Sequence, residues 1–235
     1  MMRFHPKHGS HITLSPCQTV ATRCKSFANA VVFSNRPLST SETFVFEIYE
    51  QEQGWSGHVR CGVTTHNPNF IKVPPYLLPD LAQMGTTWVF ALKPSNNKPL
   101  GDEQLRECGH NYQRLPQEDE VDNTIYCGEK AATNSNIRPT DEGSRIGIRV
   151  SYAGNLYFYI NGKKFGPCAT DLPSDSELFV TLDVYGSTKA VKIIQCGAVP
   201  SLLNLCCSKI RILTLEGSIK SLPIPKLLKQ YILSF

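Results

Sequence analysis

Leu156-Tyr157-Phe158-Tyr159-Ile160-Asn161-Gly162-Lys163-Lys164-Phe165 is the stretch that decides the fold class of this chain. Asn161-Gly162 suits a two-residue type I′ turn, which needs positive φ at both positions, and apolar residues alternate on its N-terminal side. A β-hairpin is the reading. The two-residue period recurs in both directions along the chain. It places Phe44, Phe46 and Ile48 of Thr43 to Tyr49 on one face, and likewise Val59/Cys61/Val63, Trp88/Phe90/Leu92, Ile146/Ile148/Val150 and Leu178/Val180/Leu182/Val184. Helical periodicity is absent until the C-terminal tail. Many short antiparallel strands joined by polar turns predict a mainly β protein of two stacked sheets whose inward faces form the core. Between Lys93 and Ser144 the alternation gives way to Pro94-Ser95-Asn96-Asn97-Lys98-Pro99 and the acidic Glu118-Asp119-Glu120. That marks a long polar insertion, about 94–144, with Val121 to Cys127 as a candidate extra strand.

Composition narrows the function classes. The 235 residues carry a formal net charge of +4 with 19% charged residues, and Lys and Arg are scattered. No basic stripe exists to track phosphates, so nucleic acid is not an expected partner. No run of apolar residues is long enough to cross a membrane. The opening Met1-Met2-Arg3-Phe4-His5-Pro6 lacks the apolar stretch of a signal peptide, which predicts a cytoplasmic protein. The nine cysteines are odd in number and include no Cys-x-x-Cys pair. Cys61, Cys196, Cys206 and Cys207 lie in apolar stretches and read as reduced thiols. His5, His8 and His11 have no carboxylate or Cys nearby in sequence, so no metal is expected. No nucleophile and base form a recognisable signature among the cysteines and six histidines. Gly54-Trp55-Ser56-Gly57 lacks the Lys and helix of a phosphate loop. Neither catalysis nor a cofactor is predicted.

The tail carries two signatures in a fixed order. In Ser201-Leu202-Leu203-Asn204-Leu205-Cys206-Cys207-Ser208-Lys209-Ile210, the residues Leu202, Cys206 and Ile210 recur every fourth position and line one stripe of a helix. Gly217 is a helix stop. Leu222-Pro223-Ile224-Pro225 is then a rigid turn that opens the amphipathic Lys226-Leu227-Leu228-Lys229-Gln230-Tyr231-Ile232. Taken by themselves, these residues also fit an ordinary C-terminal helix packed on its own domain. The ordered pair resembles a SOCS box. That resemblance implies docking on elongin C, in complex with elongin B, with Leu202 as the knob and Cys206 and Ile210 as flanking contacts. It also implies that Leu222, Pro223, Ile224 and Pro225 select cullin-5, with its RING subunit, over cullin-2.

The preceding body carries phrases spread from residue 4 to residue 186. They are Phe4-His5 with Gly9, Ala21-Thr22-Arg23, Val32-Phe33-Ser34 with Pro37-Leu38, Gly54 to Gly62, Thr87-Trp88-Val89, Tyr159 to Gly162, and Asp183-Val184-Tyr185-Gly186. In this order they resemble the neuralized homology repeat, a SPRY-like antiparallel β-sandwich. The resemblance divides the chain into a repeat over 3–197 and a SOCS box over 198–235, with Val199-Pro200 at the junction. Larger relatives carry a RING finger, whose paired Cys and His ligands are missing here. The family likeness therefore implies a non-catalytic substrate-recognition subunit of a ubiquitin ligase complex, the sandwich holding a protein substrate and the tail borrowing the ligase scaffold. The alternative is a module that sequesters a partner without promoting ubiquitylation.

SPRY-like sandwiches bind peptides with loops at one end, so the resemblance directs the search for substrate-binding residues to loops. Trp55, set between two glycines, suits either an exposed recognition aromatic or a ring folded over a sheet edge. Arg60 offers a forked donor to a carboxylate, or is a solvated strand arginine. Tyr185 either lines the same rim or belongs to a simple turn.

Overall fold

In the computed structural model, residues 1–39, 42–93, 99–100, 137–173, 175–194 and 222–233 are described. The Asn161-Gly162 hairpin forms, with φ of 48° and 90° at its two corner residues. It joins β9 (Leu156–Ile160) to β10 (Lys163–Ala169), pairing Phe158 with Phe165. The other strands are β1 (Ile12–Leu14), β2 (Val20–Arg23), β3 (Val31–Phe33), β4 (Thr43–Gln51), β5 (Arg60–Thr64), β6 (Thr87–Leu92), β7 (Pro99–Leu100), β8 (Arg145–Val150), β11 (Phe179–Asp183) and β12 (Thr188–Ile194). They form two antiparallel sheets. One runs β1-β2-β12-β4-β8-β9-β10 and the other β3-β11-β5-β6-β7.

The alternating residues meet between the sheets. Phe44, Phe46, Ile48, Val59, Cys61, Val63, Phe90, Leu92, Ile146, Ile148, Leu156, Phe158, Ile160, Val180 and Leu182 belong to one buried cluster, against which Trp88 packs at the margin. A second, smaller cluster lies on the outer face of the five-stranded sheet. There the β5–β6 connection folds back as a strap whose Leu77, Leu78 and Leu81 cover Val31, Phe33 and Val89. The strap contains a helical turn, Leu77–Leu81, that the two-residue period did not anticipate. Leu78 and Pro79 interrupt it, so no helical stripe develops.

The chain folds as two compact units, Met1–Cys196 and Gly197–Phe235. In the second unit, Pro225 precedes the helix α1 (Lys226–Leu233), and its carbonyl accepts hydrogen bonds from the Leu228 and Lys229 amides. Val121 to Cys127, Cys196, Cys206 and Cys207 lie outside the described residues. Cys61 and Cys168 are buried free thiols. Burial pushes both thiols up, Cys168 to about 12, so they act as small apolar groups.

Phe158 sits at the centre of this core, with its ring 5.3 Å from that of Phe90 and nearly perpendicular to it. Phe158→Ala should therefore lower unfolding free energy by about 3–5 kcal/mol, read from the denaturant midpoint at unchanged slope.

Candidate functional site

Three connections cross from one sheet to the other at the same end of the sandwich. They are β2–β3 (residues 24–30), β4–β5 (52–59) and β11–β12 (184–187). Crossing loops have no ladder to satisfy their backbone, so other groups must do it. Arg23, the last residue of β2, does much of that work with a side chain that has no solvent exposure. Its Nη1 donates to the Lys25 carbonyl at 2.9 Å, and its Nη2 donates to the Gly186 carbonyl at 2.7 Å and to Glu52 Oε2 at 3.2 Å. One guanidinium thus touches all three loops. The loops also lock directly, because the Ser187 amide and hydroxyl both donate to the Gly57 carbonyl, at 2.9 and 3.1 Å. Ser187 Oγ further shares a 2.7 Å hydrogen bond with His58 Nδ1. His58 titrates below its ordinary range, chiefly because it is half-buried.

Aromatic rings gather over this frame around Phe27. Trp55 and Tyr185 stand nearly perpendicular to Phe27, with centroids 5.5 and 5.3 Å away, and Tyr76 from the strap lies at 6.2 Å. The Arg60 guanidinium is stacked 3.9 Å over the Tyr185 ring, and that of Arg23 is 5.5 Å from Trp55. Arg60 also donates to the Leu78 carbonyl at 2.9 Å, so it braces both Tyr185 and the strap. Trp55 is 39% exposed. The three residues singled out from sequence, Trp55, Arg60 and Tyr185, are therefore brought together. Phe27, Tyr76, Arg23 and Asp183 join them and were not singled out. Arg23 shares the strand parity of inward-facing Ala21, a signal that a charge is buried there.

Asp183 lies beneath the rim and has no solvent exposure. Its Oδ2 accepts from the Leu77 amide at 3.1 Å and stands 3.9 Å from Arg60 Nη1, while Oδ1 has no hydrogen-bond partner among the described residues. Burial pushes this carboxyl up to about 6. The Leu77 amide, Arg60 and Arg23 oppose the shift, and Asp80 adds to it. The folded state holds this proton where the unfolded chain has lost it, so the contribution of Asp183 is greatest below about pH 4 and falls as pH rises through about 6.

At the other end of the sandwich, a cavity of about 160 Å³ is lined by Leu38, Val150, Tyr152, Leu172 and neighbours without a charged group. Among the described residues there is no cluster of His, Cys, Asp or Glu that could hold a metal, and no helix long and apolar enough to cross a membrane. In the C-terminal unit Pro223 and Pro225 are exposed and Leu222 and Ile224 half-buried. The Ile224 amide donates to the Leu222 carbonyl at 2.8 Å, tightening the turn before α1. Leu202, Cys206 and Ile210 lie outside the described residues.

Two substitutions test this frame. Gly186 has φ of 61°, and a Cβ there would sit 2.3 Å from the Gly57 carbonyl oxygen. Gly186→Ala should cost more than the roughly 1–2 kcal/mol of a left-handed alanine alone, measured by chemical unfolding. Asp183→Asn keeps an acceptor for the Leu77 amide and removes the titrating proton. Its stability relative to wild type should rise by about 2 kcal/mol between pH 4 and pH 7, seen as diverging unfolding curves.

The Neuralized family model matches residues 4–195, and the SOCS box model matches residues 198–233. The chain is 34% identical to human "Neuralized-like protein 2", over 97% of this chain and 90% of that protein. It is also 34% identical to human "E3 ubiquitin-protein ligase NEURL3", over 83% of this chain and 59% of that one. The crystal structure of the Drosophila melanogaster neuralized NHR1 domain superposes with a TM-score of 0.61 at 23% identity, covering 83% of this chain and 98% of that domain, which shows the shared fold. With the family model spanning nearly all of its β-sandwich, the chain belongs to the neuralized family and carries a SOCS box at its C-terminal end.

Proposed function

We propose that this protein is a substrate-recognition adaptor of a cullin-RING ubiquitin ligase. The observation that carries the reading is the succession, within one chain, of a neuralized match over 4–195 and a SOCS box match over 198–233. A similar protein is named as an E3 ubiquitin-protein ligase. In this reading the sandwich, over 3–197, holds a protein substrate at the aromatic rim, and the tail, over 198–235, holds the ligase. Leu202, Cys206 and Ile210 dock in elongin C, which is paired with elongin B. Leu222 to Pro225 engage cullin-5, whose RING subunit delivers the charged conjugating enzyme.

The chain supplies no catalytic group of its own. Its contribution is proximity. Tethering a substrate lysine beside the loaded enzyme turns a bimolecular encounter into an intramolecular one, with effective concentrations on the order of millimolar for short linkers. The elongin contact is helix-in-groove recognition, in which a few apolar anchors carry most of the binding energy.

Co-purification with elongin B, elongin C and cullin-5 tests the proposal. Wild-type protein should capture all three. Leu202→Asp should weaken elongin capture by roughly thirty-fold or more, the effect of losing an anchor of about 2 kcal/mol. The double variant Pro223→Ala, Pro225→Ala should lose chiefly the cullin. A folded wild type that captures none of them would instead be a neuralized module that sequesters its partner.

A further inference from the structure

We infer that the aromatic rim takes a proline-rich segment in the extended polyproline II conformation, an inference that rests on reading the rim as the substrate surface. The first ground is the hydrogen-bond inventory. The Trp55 indole N–H and the Tyr76 and Tyr185 hydroxyls make no hydrogen bond to any described residue, although all three rings pack about Phe27. Arg60 gives one N–H to Leu78 and keeps others. The surface is therefore apolar in its faces and rich in unspent donors at its edges. A polyproline II segment is the complementary object, because its carbonyls are free of internal hydrogen bonds and its prolines have no N–H to satisfy.

The second ground is what the rim cannot offer. The Gly57 and Gly186 carbonyls are already taken by Ser187 and Arg23, so neither is open to an added strand. A cationic ligand also meets two guanidinium groups, Arg23 near Trp55 and Arg60 over Tyr185, that already occupy the cation positions of these rings. A neutral, rigid, apolar chain avoids both obstacles and loses little conformational entropy on docking.

Titration of the full chain with decaproline, read by calorimetry, tests this beside two ten-residue controls, one of Asn and Ser and one rich in Asp and Glu. Decaproline should bind saturably. Trp55→Ala should raise its Kd about tenfold or more, and the nearly isosteric Tyr76→Phe should raise it by about threefold, each variant keeping a cooperative thermal unfolding transition. Absence of decaproline binding, or binding that ignores both substitutions, overturns the inference. If a control peptide binds instead with the same Trp55 dependence, the rim remains the substrate surface and the polyproline assignment falls. If no peptide binds and Trp55→Ala leaves capture of cellular substrates unchanged, the substrate reading falls as well.

Discussion

The rim depends on one buried cation. Arg23 has no exposure, yet its guanidinium reaches a carbonyl in each of two crossing loops and a carboxylate at the start of the third. Taking a guanidinium out of water costs several kcal/mol, and the acceptors on Nη1 and Nη2 offset it while Nε goes without one. Those acceptors are what the loops have in surplus, because they leave both sheets without ladder partners. The cost of the charge and the cost of the unpaired carbonyls cancel against each other only when all three loops take up this arrangement. Removing the cation would leave the acceptors buried and the Trp55 loop without its anchor. Glu52 also receives Lys189 from β12, which fixes the sheet side of the same frame.

The core was legible because a half-buried strand writes its burial in a two-residue code, and six segments obey it. The missed strands fail the code for identifiable reasons. Val31-Val32-Phe33 is buried on both faces, between the main core and the strap, and so reads as a continuous apolar run. In β12 the register shifts between Thr188 and Val191, which buries the adjacent Ala190 and Val191 together and breaks the alternation. β1 is three residues long, too short for a period to be seen. The hairpin was the sharpest signal since its backbone demand, positive φ at two successive residues, is met by very few dipeptides.

The site was legible where an aromatic or a cation stood beside glycines or inside a strand pattern. Tyr185 neighbours Gly186, where a Cβ would sit 2.3 Å from the Gly57 carbonyl oxygen, and a Cβ on Gly57, two residues after Trp55, would strike the Tyr185 ring at 2.7 Å. Phe27 and Tyr76 sit in polar or Pro-containing connections, and nothing in their local sequence indicates that tertiary folding brings them together. Asp183 is masked for another reason. It alternates out of the core between Leu182 and Val184, a position that normally faces water, and only the strap returning through Leu77 buries it. Sequence patterns report the first layer of packing. A carboxyl buried by a second layer leaves no trace in them.

The departures from ideal packing gather at one end of the sandwich. Among the described residues, the buried side-chain polar atoms without a hydrogen-bond partner are Arg23 Nε and Asp183 Oδ1. Both belong to the frame under the aromatic rim, and none lies at the opposite end with the uncharged cavity. Buried orphans are costly, so a fold shaped by stability alone would disperse or remove them. Their concentration beneath Trp55, Tyr76 and Tyr185 fits a surface whose rings are held rigid before a ligand arrives, at some expense in stability. The broad core between the sheets supplies the margin that makes this expense tolerable. For the proposed adaptor, rigid placement of a few aromatic edges is the means of discrimination that this arrangement of charges provides.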